Sequence, residues 1–340
     1  MTRKSSLLSI GVIGVGSIGQ HHARIMAALP EVRFVGVADA NPQQAQAIAS
    51  RYGVQAFQDY MDLLDAVSAV TVAVPTPLHY SVGMECLRRG IHVLMEKPLA
   101  ESVAQARELA EAASKARKVL QVGHVERFNP TFTELANVLT GEHLLALEAR
   151  RLSPFLERAA GVSAVLDLMV HDLDLVMKLV GSPVAGIQAR GIRAKVPLLD
   201  HVSANLVFEN GVLASLTASK ISQQKVREIT AICEGCVVHA DLLARTVVIH
   251  RQATSQFQSE NERVLYRQEG LVEQVYVPSV EPLYAELAHF VDCVRHNRQP
   301  LVGADDAMRV LEVAEAIEAA AEASVVKPRL APNRKKEATQ

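Results

Sequence analysis

The sequence predicts an α/β protein, a doubly wound parallel sheet followed by an α+β unit with an open, mainly antiparallel sheet. Three observations carry this. Over residues 1–125, short β-branched apolar runs alternate with segments of helical periodicity, the mark of βαβ units. A glycine-rich loop stands at the first strand-to-helix junction. Beyond residue 140 one long helical pattern gives way to closely spaced strand-like runs divided by turn residues.

Taken in order, the first-half strands fall at 8–13, 33–38, 68–74, 91–95 and 119–122. They are apolar on both sides of the pleat, so helices must cover both faces of their sheet. Asn41 and Pro42 fit the N-cap and first position of a helix. Ser102 and Gln105, spaced as a capping box, open another whose apolar stripe is Val103, Ala106, Leu109 and Ala113. The second half predicts a helix over 163–180, then strands at 184–193, 202–208, 212–219, 226–233, 236–240 and 245–250. Asn210-Gly211 and Glu234-Gly235 read as hairpin turns between them. Helices follow at 282–297 and 304–324, and the charged residues 332–340 are expected to be disordered. The domains so divided are 1–125, binding a dinucleotide, and 126–331, binding substrate and other subunits.

Composition narrows the class. At 340 residues the chain holds about two domains of roughly 150 residues each. An apolar fraction of 49% with 21% charged residues excludes a disordered or fibrous protein. Lys and Arg number 35 against 37 Asp and Glu, so no basic field exists to attract nucleic acid. The apolar run after the basic N-terminus is short and broken by glycines, and no stretch approaches the roughly 18 apolar residues that span a bilayer. Four cysteines, Cys86, Cys233, Cys236 and Cys293, are too few for a disulfide framework, which points to a reducing cytoplasm. Cys233 and Cys236 lack the second pair that makes a zinc motif specific, so no metal is expected.

Gly14-Val15-Gly16-Ser17-Ile18-Gly19 follows the first strand and opens a helix. In that setting Gly14 permits the turn, Gly16 lets a pyrophosphate approach the backbone, and Gly19 lets helix and strand pack closely. Free N–H groups at the helix start then favour the phosphates. Asp39 ends the second strand, where a carboxylate reaches ribose hydroxyls of a Rossmann-bound dinucleotide. From Asp39 to Ala47 no Lys or Arg is available for a 2′-phosphate, so NAD is favoured over NADP. His21 and His22 fall in the first helix, beside the cofactor or in packing.

Val74-Pro75-Thr76-Pro77-Leu78-His79 after one strand and Glu96-Lys97-Pro98 after the next, with the glycine loop, resemble the glucose-fructose oxidoreductase / inositol dehydrogenase (Gfo/Idh/MocA) family. The resemblance implies a nicotinamide-dependent enzyme that oxidises or reduces a carbinol, usually on a sugar. It implies that Pro75, Thr76, His79, Glu96 and Lys97 line the cofactor. Physically, an ammonium beyond the carboxyl end of a parallel strand can bind a substrate oxygen and stabilise alkoxide character as hydride leaves carbon. Pro98 fixes the local backbone, and a cis bond there would aim Lys97 into the cleft.

Asp167 and His171 lie four apart on the helix 163–180 and share a face, with Asp174 continuing it. The run Asp167-Leu168-Met169-Val170-His171-Asp172 resembles the family's active-site helix. Imidazole titrates near neutrality and suits a general base, so His171 is the candidate base, with Asp167 binding a neighbouring hydroxyl or holding the ring.

The stretches around Gly123-His124-Val125-Glu126-Arg127-Phe128-Asn129-Pro130 and Arg150-Arg151-Leu152-Ser153-Pro154-Phe155-Leu156-Glu157-Arg158 look like those of family members acting on nucleotide sugars, UDP-N-acetylglucosamine 3-dehydrogenases above all. That implies a diphosphate held by Arg127, Arg151 or Arg158, with Asn129 beside it, and a 3-keto product passed to a transaminase for a 3-amino sugar, as in lipid A or other surface glycans. A guanidinium can give a diphosphate two parallel hydrogen bonds; the alternative is that these arginines form ordinary ion pairs. Free inositol, a hexose or a UDP-uronic acid remain alternative substrates, and a non-catalytic NAD sensor the alternative class. The open sheet predicts a homodimer or homotetramer.

Overall fold

A computed structural model describes residues 7–157, 160–251, 255–260, 263–268 and 270–326. The tail 332–340, expected to be disordered, lies outside the described residues. The first half builds β1 (Leu8–Ile13), α1 (Gly19–Ala28), β2 (Val32–Ala38), α2 (Pro42–Tyr52), β3 (Gln55–Phe57), α3 (Tyr60–Leu64), β4 (Ala69–Val72), α4 (His79–Arg88), β5 (His92–Glu96), α5 (Val103–Ala116) and β6 (Leu120–Gly123). Its strands pair in parallel in the order β3-β2-β1-β4-β5-β6. The order reverses direction at β1 and β4, and ligands bind beyond the carboxyl ends of strands at such a switch point. Strands β1, β4 and β6 lie buried over almost their whole length, as a sheet covered on both faces requires.

Local sequence explains the helix ends. Asn41 accepts from the N–H groups of Gln43 and Gln44, with Pro42 next to it at the start of α2. Ser102 Oγ accepts from Gln105 N at 3.3 Å, but the expected capping box is only half formed. Gln105 Oε1 is buried without a partner instead of completing it.

The second half contributes α6 (Pro130–Leu139), β7 (Leu144–Leu152), α7 (Val170–Val180), β8 (Val184–Ile192), β9 (His201–Phe208), β10 (Leu213–Ser219), β11 (Val226–Cys233), β12 (Cys236–Asp241), β13 (Thr246–Arg251), β14 (Ser255–Glu260), β15 (Arg263–Gln268) and β16 (Leu271–Val275). Eight strands form an open sheet in the order β16-β13-β12-β11-β7-β10-β9-β8, antiparallel throughout except where β7 and β10 run together. Asn210-Gly211 makes the predicted turn between β9 and β10, with Gly211 at φ +86°. The inner face packs on Leu135 of α6, on Leu173 and Val176 of α7, and on α9 (Ala304–Ala323) through Ala314, Ile317 and Ala321.

Two features depart from the sequence reading. The active-site helix does not run uniformly over 163–180, because a π-helical turn, Val165–Met169, precedes α7. And α8 (Pro282–His296), which follows the second sheet in sequence, packs on the first: Leu287, Phe290 and Val291 share a core with Ile10, Val12, Val37 and Leu94.

Candidate active site

The glycine loop fits a dinucleotide by three different demands. Gly14 has φ +82°, and a Cβ there would lie 2.7 Å from the Ala73 carbonyl oxygen. On Gly19 a Cβ would lie 1.8 Å from the Gly14 oxygen, so close strand-to-helix packing forbids a side chain. On Gly16 it would meet nothing within 4 Å, which leaves the outer face of the loop open to a ligand. Ser17 and Ile18 are also exposed there, and Ile18, the N-cap of α1, supplies no side-chain hydrogen bond. The Asp39 carboxylate accepts from Val15 N and Asn41 N, both at 2.8 Å, and so pins the loop to the end of β2. Each oxygen retains a lone pair for a ribose hydroxyl.

Across the switch point, Pro75 is exposed and Thr76 half-buried at the start of a 3₁₀ turn, Thr76–Leu78. His79 is placed differently from the expectation that it lines the cofactor. It is buried, and its ring nitrogens face the carbonyls of Pro98 at 2.7 Å and Val74 at 2.9 Å, which makes it a strut between the two loops. The Lys97-Pro98 bond is cis. His22 is fully buried and donates through Nε2 to Glu96 Oε1 at 3.1 Å. Burial opposes ionisation of Glu96, but the His22 bond and the Lys97 charge prevail and hold its carboxyl below the ordinary range.

Lys97 and the π-helical turn meet. Lys97 Nζ donates to the Asp167 main-chain oxygen at 3.1 Å. Burial depresses the ammonium's pKa, with Asp167 and Glu96 opposing. Lys220, which sequence reasoning missed, is buried at the end of β10, with Nζ 3.7 Å from Asp167 Oδ2 and a bond to the Val162 carbonyl. His171 is half-buried with Nδ1 unpartnered. Burial and the cations Lys97 and Arg151 push its pKa well below the usual histidine value, so the ring stays neutral and able to accept a proton. An ammonium on the Asp167 carbonyl and a neutral imidazole four residues further along the same segment can together hold an alcohol oxygen and take its proton.

The arginines require correction. Arg127 is buried and gives Asp174 two bonds of 2.7 Å. Arg151 is buried too, bonded to Asp172 at 2.7 and 3.0 Å and to Glu126 at 3.0 Å. Asn129 caps α6 by accepting from Thr131 N and donates to Glu126. These three brace the floor of the site through carboxylates from α7 and from the turn at Val125–Phe128, and Arg127 keeps one buried nitrogen, Nη1, without a partner. Arg158 lies outside the described residues.

Beneath Glu96 sits Glu286 on α8, fully buried with neither carboxyl oxygen bonded. Burial, then the charges of Glu96 and Asp174, raise its pKa well above the ordinary value, so it stays protonated. The stability linked to that proton is complete in acid. It declines as pH climbs past the ordinary carboxyl range, where only the unfolded chain ionises, and is gone above the raised pKa. Glu286→Gln should therefore melt increasingly above the wild type between pH 5 and pH 9, by up to about 1.4 kcal/mol per unit. Parallel melting curves across that range would refute a protonated Glu286.

A cavity of about 1060 Å³ opens at the opposite, amino edge of the first sheet between Arg117, Lys118 and Asn297. It contains none of the residues above. Among the described residues no group of three or more His, Cys, Asp or Glu could hold a metal, and no helix is long and apolar enough to cross a membrane.

Comparison with known proteins gives two domain matches. The model for the GFO_IDH_MocA oxidoreductase family, NAD-binding Rossmann fold, matches residues 8–124, and the GFO/IDH/MocA C-terminal domain matches 138–238. A UDP-N-acetylglucosamine 3-dehydrogenase of Acidithiobacillus ferrooxidans is 31% identical over 314 residues, 92% of this chain and 97% of that protein. Its crystal structure superposes with a TM-score of 0.85 at 29% identity, covering 93% of this chain and 98% of that one. An inositol 2-dehydrogenase of Rubrobacter xylanophilus is 32% identical over 200 residues, 56% of this chain and 58% of that protein.

Proposed function

The chain belongs to the Gfo/Idh/MocA family of NAD-binding oxidoreductases, and on that premise we propose that it oxidises the C3 hydroxyl of UDP-N-acetylglucosamine to the 3-keto sugar nucleotide. The observation that carries this reading is the meeting of Lys97 with the Asp167 and His171 segment beside the glycine loop. Likeness to the Acidithiobacillus enzyme over nearly the whole of both chains supports the substrate. The glycine loop and Asp39 would hold NAD, which would supply the hydride acceptor for C3. Lys97 steadies the oxygen as it gains alkoxide character, and His171 takes its proton. Asp167, held by Lys220, binds a neighbouring hydroxyl.

The resulting ketone suits amino transfer to a 3-amino sugar. Residues 1–125 form the cofactor unit and 126–331 the substrate unit in this reading, except that α8 packs on the cofactor unit. The outer face of the second sheet, with Leu145, Val207, Leu213 and Val237 exposed, is covered in a homodimer or homotetramer.

A second reading, a free polyol, draws on the inositol dehydrogenase likeness and on the loss of Arg127 and Arg151 as phosphate ligands. Incubation with NAD and a panel of UDP-sugars, hexoses and inositols, followed at the NADH absorbance, separates the two. UDP-N-acetylglucosamine is expected to give the highest kcat/KM; turnover confined to inositols would sink the nucleotide-sugar assignment.

A further inference from the structure

Arg227 is a cation of this site that the sequence reading passed over. It is paired in register with Arg151 of β7, and the alternation of β11 puts it on the inner face with the buried Ile229, Ala231 and Cys233. Arg227 Nη1 donates to Glu126 Oε1 at 3.1 Å, the same oxygen that Arg151 Nη1 uses at 3.0 Å. The two guanidinia differ in access: the Arg151 side chain is 3% exposed and that of Arg227 is 42% exposed. Arg150 lies on the outer face of β7, near Glu228.

We propose that Arg227 binds the diphosphate of the substrate and thereby separates nucleotide-linked from free sugars; this rests on the nucleotide-sugar reading above. The charges point the same way. Arg151 and Arg227 are opposed by Glu126 and Asp172, and Arg151 already occupies both carboxylates. Burial and the Arg151 charge both work against protonation of Arg227. Placing a second guanidinium directly across from the first costs free energy. An incoming diphosphate would offset that cost, and the guanidinium, with one nitrogen on Glu126, has the rest of its fork for phosphate oxygens. Arg227 is joined to the floor of the site through Glu126, which Arg151 on the neighbouring strand also binds. In the proposed pose a sugar on Lys97 and His171 directs its anomeric phosphate toward β11.

The test is calorimetric titration of the full-length, NAD-loaded protein with UDP, a probe that has the diphosphate and no sugar, alongside initial rates with UDP-N-acetylglucosamine. Arg227→Gln, which keeps an amide donor for Glu126, is expected to weaken UDP binding by about 10- to 100-fold. KM should rise in the same proportion with kcat changed less than about threefold, because the lost contact is equal in ground and transition states. Arg227→Lys, retaining charge without the fork, should fall between the two. Thermal melting of both variants within a few degrees of wild type would exclude a general folding loss. UDP affinity equal in wild type and a folded Arg227→Gln overturns the assignment of Arg227 alone. A wild type that does not bind UDP overturns the nucleotide-sugar reading itself.

Discussion

Lys97→Ala should lower kcat/KM for the oxidation by about 10³-fold, a loss of roughly 4 kcal/mol of transition-state stabilisation. The reason is geometric. Lys97 is the ammonium that meets the Asp167 and His171 segment, and its partial burial already disfavours the charged form. A cation in that state acts strongly on the charge that develops on the substrate oxygen as hydride departs. Lys97→Arg should restore little, since a longer planar group cannot occupy the same point. NADH affinity, followed by fluorescence, should change less than about tenfold, because the glycine loop and Asp39 are untouched. Turnover of Lys97→Ala within tenfold of wild type would show that His171 and the bound cofactor suffice, and would remove Lys97 from the chemistry.

The largest stability effect should come from Arg151→Met, at about 3 to 5 kcal/mol. Arg151 is the buried hub of two carboxylates, Asp172 at 2.7 Å and Glu126 at 3.0 Å. Removing it leaves Asp172 buried beside Glu126, with Asn129 and the half-exposed Arg227 still bonded to Glu126. Urea unfolding is the measurement. If Arg151→Met kept its unfolding midpoint and only raised the KM for a UDP-sugar, Arg151 would be the phosphate ligand that its sequence neighbourhood suggested. The contrast with Arg227→Gln, expected to act on KM and hardly on the midpoint, separates a brace from a ligand on adjacent strands.

Much of the site was readable because its signals are local. The glycine loop, Asp39, Glu96-Lys97-Pro98 and the Asp167 to His171 spacing each depend on residues a few positions apart, at junctions where backbone sterics dictate residue type. The arginines were misread because their partners are remote in sequence. Asp174 is 47 residues beyond Arg127 and Glu126 is 25 before Arg151, and nothing in either stretch reveals that they meet. One sign was present: Asp172 and Asp174 sit among apolar residues in a helix bound for the core, and a buried carboxylate demands a cation or a proton. Strand β7 was missed because LLALEARRL is built of helix formers and takes its extended form from its neighbours β10 and β11. His79 has the family's position but was taken for a cofactor contact, since only its two carbonyl partners show it to be a strut.

The return of α8 to the first sheet bears on how the molecule is made. Leu287, Phe290 and Val291 cover Ile10, Val12 and Leu94, and Gln121 Nε2 donates to the Glu286 carbonyl at 3.2 Å. A polypeptide emerging from the ribosome therefore cannot finish the nucleotide fold until nearly 300 residues have been translated. Until then the apolar flank that Leu287, Phe290 and Val291 cover stays bare.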